Sequence, residues 1–164
     1  MIEIAQRICN EITNSNKKVK IFWDMDGTCA SMEMQKKEQK LERGFFSSKR
    51  PIKTIISFMK LFNDLGAETY ILSFCGYNYQ KEDKIDWLKE NCPFIDLHNI
   101  IIIPRKELDV KPANTKQELK AEYIKDYVFP NETIFMIDDN ESVLLGTKEK
   151  LPFINIVSPI DFIE

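Results

Sequence analysis

Residues 18–28 read Lys-Val-Lys-Ile-Phe-Trp-Asp-Met-Asp-Gly-Thr, and this stretch decides the fold. The apolar run has the length of a buried strand and stops abruptly at an acid, Asp24. Asp24 and Asp26 lie two residues apart, so on an extended chain their carboxylates point the same way. Because carboxylates so close repel each other, the pair predicts a site for a cation. Oxygen ligands with no neighbouring histidine or cysteine favour Mg²⁺, and Gly27 allows a sharp turn beside the site.

The rest of the chain predicts four more short apolar strands that alternate with helices. The predicted strands cover residues 69–73, 99–103, 133–138 and 153–157, and the predicted helices cover 2–13, 51–65, 79–91, 115–128 and 140–150. The strands are apolar throughout, which is typical of a parallel sheet with helices on both faces. The pattern therefore predicts an α/β fold.

Composition sets limits on the function. A chain of 164 residues fits one domain, and its formal net charge of −3 disfavours bulk nucleic-acid binding. No apolar run approaches the roughly 18–20 residues needed to span a bilayer, and the N-terminus lacks the pattern of a secretory signal. The four cysteines are scattered, so we expect reduced thiols in a cytoplasmic protein. The oligomeric state stays open.

Polar residues follow two of the other predicted strands. Ser73 ends one of them, and Asp138 and Asp139 end another. In open α/β sheets ligands bind beyond the carboxyl ends of the strands, so these residues are expected to converge on Asp24. The acidic pair would complete a metal site, and the Ser73 hydroxyl could hold phosphate oxygens. The plainer alternatives are a strand-terminating serine and a helix N-cap at Asp139.

Together these segments resemble the haloacid dehalogenase (HAD) superfamily. Its motifs are an Asp-x-Asp-Gly-Thr strand end, a Ser or Thr strand end, a lysine and an acidic pair, and all occur here in order between Lys18 and Val157. The resemblance implies a Rossmann-like three-layer sandwich with a five-stranded parallel sheet, in a single domain over residues 1–164. The short interval between Asp26 and Ser73 leaves room for only a small lid, at about residues 29–50.

The resemblance also implies roles for the site residues. Asp24 would be the nucleophile, and Asp26 the general acid and base. Asp24, Asp138, Asp139 and the backbone carbonyl of Asp26 would bind Mg²⁺. Ser73 and a lysine would hold the phosphoryl oxygens. The remaining residues expected to bind substrate are Gly27, Thr28 and Phe74.

Three lysines compete for the lysine role. Lys111-Pro-Ala-Asn resembles the Lys-Pro-x-Pro signature of the superfamily without its second proline, so Lys111 is preferred. Lys116 comes next, and Lys120 resembles other branches of the superfamily. A solvated surface position is the commonest alternative for each.

The implied activity is Mg²⁺-dependent hydrolysis of a phosphate monoester through an aspartyl-phosphate on Asp24. Two segments, Arg43–Phe46 and Lys84–Leu88, resemble 5′(3′)-deoxyribonucleotidases, which makes a small nucleoside monophosphate the first substrate. Aromatic side chains could stack on its base, although packing is their commoner role: Phe45, Phe46, Tyr77 and Tyr79.

An open site also fits a polynucleotide 3′ end or another bulky phosphorylated partner. A phospho-acceptor regulatory module is the non-enzyme alternative, although its acidic pair normally precedes the phospho-acceptor. The lid segment between Glu33 and Lys53 adds a local bias, with seven bases against three acids. It could steer a polyanionic substrate, or it could be an ordinary solvated helix face. The bases are Lys36, Lys37, Lys40, Arg43, Lys49, Arg50 and Lys53.

Overall fold

Five parallel strands form the sheet at the centre of the protein. The structure, a computed structural model, describes residues 2–32 and 38–163. The strand order is β3-β2-β1-β4-β5, with every neighbouring pair parallel. The bounds are β1 (Lys18–Trp23), β2 (Glu68–Cys75), β3 (Ile100–Pro104), β4 (Glu132–Ile137) and β5 (Asn155–Val157). The predicted α/β fold with a five-stranded parallel sheet is confirmed.

Helices connect the strands, as parallel pairing requires. The α-helices are α1 (Glu3–Asn14), α2 (Lys53–Asp64), α3 (Asn78–Asn91), α4 (Leu119–Ile124) and α5 (Glu141–Lys150). Short 3₁₀ turns lie at Gln39–Leu41, Leu97–Asn99, Lys125–Tyr127 and Pro159–Phe162. None of the helices in the described residues has the length and apolar character that a membrane crossing requires.

Alternate residues of the strands point to opposite faces of the sheet and pack into two separate cores. Trp23 and Ile71 pack on one face with Ile8 of α1 and Met59 of α2. The opposite face carries a second core, in which strand residues such as Phe22, Leu72 and Met136 pack with residues of α4 and α5. Since helices cover both faces, the strands are apolar on both sides, and the sandwich has three layers.

Two elements differ from the sequence prediction in ways that affect the site. β2 continues past Ser73, because Phe74 and Cys75 still pair with β3. The helix predicted over 115–128 begins only at Leu119 and tightens into a 3₁₀ turn after Ile124. Ser73 therefore lies inside a strand, and the residues before Leu119 form turns, which moves the lysines of that segment relative to the sheet.

The predicted lid is tied to α3 where it is described. The backbone N–H of Gly44 donates to Asp83 at 2.6 Å, and the indole N–H of Trp87 donates to the Lys49 carbonyl at 2.6 Å. Residues 33–37 of the predicted lid lie outside the described part of the chain. These contacts hold the end of the lid segment beside the carboxyl edge of β1 and β2.

Candidate active site

Three carboxylates converge at the carboxyl edge of the sheet. Asp24 follows β1 and Asp138 follows β4, and these strands pair in register up to Trp23 and Ile137. Oxygens of Asp24, Asp138 and Asp139 all lie within 4.8 Å of one another. Asp24 and Asp138 are buried, and Asp139 is exposed. The sheet thus delivers the acids of two distant sequence segments to one point.

The chemistry of this cluster fits a hard divalent cation such as Mg²⁺. Its donors are all carboxylate oxygens, which Mg²⁺ prefers. The backbone at Gly27 has φ +79°, and a Cβ atom there would stand 2.1 Å from the Asp139 Oδ2 atom. Only glycine leaves space for the Asp139 carboxylate in this position, so the turn is shaped to admit that group.

Desolvation is the largest influence on the pKa values of the cluster. Although Asp139 is exposed in part, desolvation raises its pKa to about 6, and the neighbouring charges of Asp24 and Asp138 add to the effect. Burial also raises the pKa of Asp138, since it outweighs the opposing attraction of Lys120. A bound cation would reverse the sign of these effects, because it would favour the ionised carboxylates.

Lys120 is the lysine that the structure brings to the cluster. Its ammonium donates to Asp24 Oδ1 at 2.6 Å and to Asp138 Oδ2 at 2.7 Å. The side chain is almost wholly buried, and although burial alone would lower its pKa, the two carboxylates raise it. Lys120 therefore supplies a fixed positive charge between the first and last acidic motifs.

The preference for Lys111 as the lysine of the site is wrong. The Lys111 ammonium pairs with Asp126 and donates to the Glu122 carbonyl at 3.2 Å. Lys116 is exposed and lines a neighbouring cavity beside Phe74. Turns occupy the chain before Leu119, so neither of these lysines enters the buried first turn of α4.

Asp26 is held apart from the acidic cluster by two lysines. Lys49 Nζ donates to its Oδ1 atom at 2.5 Å, and Lys84 Nζ pairs with its Oδ2 atom. Burial would raise the pKa of Asp26, but the charges of Lys84 and Lys49 outweigh it and lower the pKa. The Asp26 carboxylate is thus committed to the lysines, and its backbone carbonyl as a metal ligand stays a prediction.

Lys84 joins Asp26 to Ser73. Its fully buried ammonium also donates to the Ser73 hydroxyl at 3.0 Å and to the Phe74 carbonyl at 2.7 Å. Sequence analysis did not place Lys84 or Lys49 in the site. A signal exists for Lys84, because it falls among the buried residues of α3, with Gln80, Trp87 and Leu88, at helical spacing where an apolar residue is the rule.

Two adjoining cavities open at this edge of the sheet. The acidic cavity, of about 150 Å³, is lined by Asp24, Ser73, Lys120, Asp138 and Asp139 among others. The aromatic cavity, of about 280 Å³, is lined by rings and cations: Phe45, Phe46, Phe74, Tyr77, Lys49, Arg105 and Lys106. Asp26, Met32 and Phe74 line both. A substrate could therefore extend from one cavity into the other.

The residues predicted to bind substrate fare differently. Phe74 lies between the two cavities, where a substrate would touch it. Thr28 is fully buried, and its contact with substrate stays a prediction. The N–H of Gly27 donates to the Ala30 carbonyl at 2.8 Å, and the residue makes room for Asp139 rather than binding a ligand. Tyr79 donates its hydroxyl to the Leu41 carbonyl and packs against Tyr77, outside the aromatic cavity.

Two described bases of the lid segment lie in different places. Lys49 contacts Asp26 in the site, whereas Arg43 lies over the ring of Tyr79. Lys36 and Lys37 lie outside the described residues. The idea that this segment steers polyanionic substrates stays a prediction.

A comparison with protein families matches one segment of the chain. The family model described as 5′ nucleotidase, deoxy (pyrimidine), cytosolic type C protein matches residues 37–112, somewhat less than half of the chain. The matched segment includes Lys49, Ser73 and Lys84 and excludes the three clustered acids. Among curated proteins, none matches the chain in sequence.

Solved structures show the same architecture at low sequence identity. The chain matches a protein of the Pnkp1/Rnl/Hen1 complex with a TM-score of 0.65 at 14% identity, over 88% of this chain and 47% of that one. It also matches a Burkholderia xenovorans protein described as a haloacid dehalogenase-like hydrolase, with a TM-score of 0.56 at 12% identity over 87% and 82% of the two chains. The HAD domain of the Legionella pneumophila effector Lem4, an inactive mutant, matches with a TM-score of 0.50 at 16% identity over 87% and 86%. The chain spans about half the length of the Pnkp1/Rnl/Hen1 protein that it matches.

The chain has the fold of the HAD-like hydrolases, with acidic motifs at the carboxyl ends of β1 and β4 and a lysine between them. Its segment 37–112 is similar to the cytosolic deoxynucleotidases.

Proposed function

We propose that this protein is a Mg²⁺-dependent phosphomonoester hydrolase that uses Asp24 as its nucleophile. The observation that carries the proposal is that the site holds two carboxylates in separate environments. Asp24 lies in a cluster with Asp138, Asp139 and Lys120, while a second carboxylate, Asp26, is held separately at the mouth of the same cavity. This arrangement supports a role in attack and metal binding for Asp24 and a role in proton transfer for Asp26.

Asp24, Asp138 and Asp139 would hold the metal ion. When bound, Mg²⁺ supplies positive charge that offsets the charge of the phosphoryl group during transfer. Lys120 contributes a second positive charge at the same place. Its contacts to Asp24 and Asp138 hold the ammonium in position before substrate binds.

In the first step an Asp24 oxygen forms a bond to phosphorus, and the bond from phosphorus to the ester oxygen breaks. Asp26, an ion-paired carboxylate in the free protein, must take up a proton as the substrate displaces its lysine contacts. It then gives this proton to the leaving oxygen, so the alcohol departs neutral. Asp24 then carries the phosphoryl group. The Ser73 hydroxyl, which accepts from Lys84 at 3.0 Å, is free to turn its own proton toward a phosphoryl oxygen.

In the second step water attacks phosphorus and gives a proton to the Asp26 carboxylate. The bond between phosphorus and the Asp24 oxygen breaks, which releases inorganic phosphate and restores both carboxyl groups. Both oxygens of Asp26 accept from ammonium groups before substrate binds, so the leaving oxygen must replace one of these contacts. Lys49 can transfer its contact to an incoming phosphoryl oxygen, whereas Lys84 is also held by the Ser73 hydroxyl and the Phe74 carbonyl.

A nucleoside monophosphate is the substrate that the site fits best. Phe45, Phe46, Phe74 and Tyr77 line the cavity that adjoins the phosphoryl site, and an aromatic lining suits a nucleobase. The similarity to the cytosolic deoxynucleotidases falls on the same segment of chain. A polynucleotide 3′ end is the second candidate, favoured by the structural match to a protein of an RNA repair complex.

Hydrolysis of p-nitrophenyl phosphate tests the chemistry. We expect Mg²⁺-dependent turnover that EDTA abolishes, and loss of turnover in Asp24→Asn. Asp86→Asn, an exposed aspartate of α3, is the matched control and should retain activity. Phosphorylation of Asp24 without turnover would instead identify a phospho-acceptor module. A panel of nucleoside monophosphates and 3′-phosphorylated oligonucleotides then separates the two substrate candidates.

A further inference from the structure

The two cavities of the site carry opposite charge. The acidic cavity holds four carboxylates and one lysine, whereas the lining of the aromatic cavity holds three cations and one carboxylate, Asp26. Lys49 is already paired with that carboxylate. The surplus positive charge therefore belongs to Arg105 and Lys106, which follow β3 at the outer side of the cavity.

Neither cation has an acidic partner among the described residues. The guanidinium of Arg105 lies over the Phe74 ring at 4.8 Å, and the Lys106 ammonium lies over the Tyr77 ring at 4.9 Å. Both side chains are exposed, so their charged groups remain available to a ligand. Cations stacked on aromatic faces keep their outward hydrogen-bond donors unused.

The backbone beneath these cations is fixed. The N–H of Arg105 donates to the Cys75 carbonyl at 3.0 Å, and that of Lys106 donates to the Gly76 carbonyl at 2.9 Å. The facing loop is held in turn by the buried side chain of Gln80, which accepts from Gly76 and Tyr77. A rigid base of this kind lowers the entropy cost of presenting two cations to an anion.

One ring links the cations to the reaction centre. The Lys120 ammonium lies 4.9 Å from the centroid of Phe74, the ring over which Arg105 also lies. A substrate with its reacting phosphate beside Lys120 would pass Phe74 and the other aromatic rings, and its far side would then meet Arg105 and Lys106. Along its length the substrate would therefore meet first the phosphoryl site, then the aromatic rings, and last the two cations.

We infer that Arg105 and Lys106 bind a second phosphate of the substrate. The substrate class is then a nucleotide with phosphates on two sides of its nucleoside, either a nucleoside bisphosphate or the 3′-phosphorylated end of an oligonucleotide. The inference rests on the proposed phosphohydrolase function and narrows its substrate.

The test compares 2′-deoxyadenosine 3′,5′-bisphosphate with the 3′- and 5′-monophosphates. The wild-type protein should prefer the bisphosphate in kcat/KM, and R105Q/K106Q should reduce that preference by roughly 5- to 30-fold, mainly through KM. The matched control K17Q/K60Q removes two exposed lysines outside both cavities and should keep the preference. Added salt should weaken the preference, because the contacts are exposed.

An arm with a 3′-phosphorylated dinucleotide distinguishes the two sources of the second phosphate. A gain with either substrate supports the subsite, and the substrate that gains identifies the source of the second phosphate. Equal kcat/KM for the bisphosphate, the dinucleotide and the monophosphates, or a preference that R105Q/K106Q leaves unchanged, overturns it while the phosphatase activity stands. Should no substrate be hydrolysed, the proposed function fails. The Kd of Asp24→Asn protein for bisphosphate against monophosphate then decides the subsite by itself, since that comparison needs no turnover.

Discussion

Replacing Lys84 by methionine should separate proton transfer from phosphate binding. The change keeps most of the side-chain volume and removes an ammonium that contacts Asp26, the Ser73 hydroxyl and the Phe74 carbonyl. Breaking a buried ion pair costs about 3–5 kcal/mol. The Asp26 carboxylate is 21% exposed and retains Lys49, so we expect a loss near 3 kcal/mol in urea unfolding, at the lower end of that range.

The effect of Lys84→Met on activity should depend on the leaving group. General acid catalysis contributes about 10²- to 10⁴-fold, and a poor leaving group such as a nucleoside needs it most. Because Lys84 holds the Asp26 carboxyl group in position, we expect kcat for a nucleoside monophosphate to fall by about 10²-fold or more when it is removed, with a clearly smaller fall for p-nitrophenyl phosphate. Lys89→Met, at an exposed position of the same helix, is the control for the loss of a lysine from α3.

Two results would refute this reasoning. Equal losses on both substrates would mean that Lys84 acts on the phosphoryl group rather than through Asp26. The second result comes from a double-mutant cycle with Asp26→Asn. If Lys84 works through Asp26, adding Lys84→Met to Asp26→Asn should cost little more activity, because the partner is already lost. Full additivity would assign the two residues to independent roles.

The remaining predictions concern the lysine of the site, the metal cluster and a thiol. Lys120→Met should lower kcat by at least about 10²-fold, since it removes a buried charge beside the nucleophile. Lys111→Met should stay within about two-fold, which steady-state kinetics would check. Gly27→Ala should raise the Mg²⁺ concentration for half-maximal activity by about 10-fold or more, because its Cβ would displace the Asp139 carboxylate. An unchanged Mg²⁺ titration would contradict that account of the cluster. Burial raises the pKa of Cys92 to about 12, so in mildly alkaline buffer its thiol stays protonated, and iodoacetamide should label it only after unfolding; labelling of Cys92 in the native protein would contradict the buried position.

The carboxylate part of the site was readable from sequence because it depends on strand ends. Asp24 and Asp138 follow short apolar strands, and the ends of parallel strands meet at one edge of a sheet. A carboxylate is a short group attached close to that backbone, so placing the strand largely places the acid. Ser73 was found in the same way, although β2 runs on past it.

The lysines were not readable to the same degree, because a lysine side chain is long and its position depends on the rotation and start of its helix. Lys111 carried the better signature but turned to Asp126, whereas Lys120 reached Asp24 because α4 begins only at Leu119. Lys84 lies on the buried face of α3. Helical periodicity identifies that face only once the bounds of the helix are known.

By itself the sequence determined the α/β class, the parallel sheet and the acids at its carboxyl edge, since these follow from local patterns along the chain. The tertiary structure alone decided which ammonium meets which carboxylate. It placed Lys120 against Asp24, closed Lys49 and Lys84 on Asp26, and left Arg105 without an acidic partner among the described residues. The physical reason is that an ion pair between distant segments is fixed by the packing of whole helices on the sheet, and no short stretch of sequence encodes that packing.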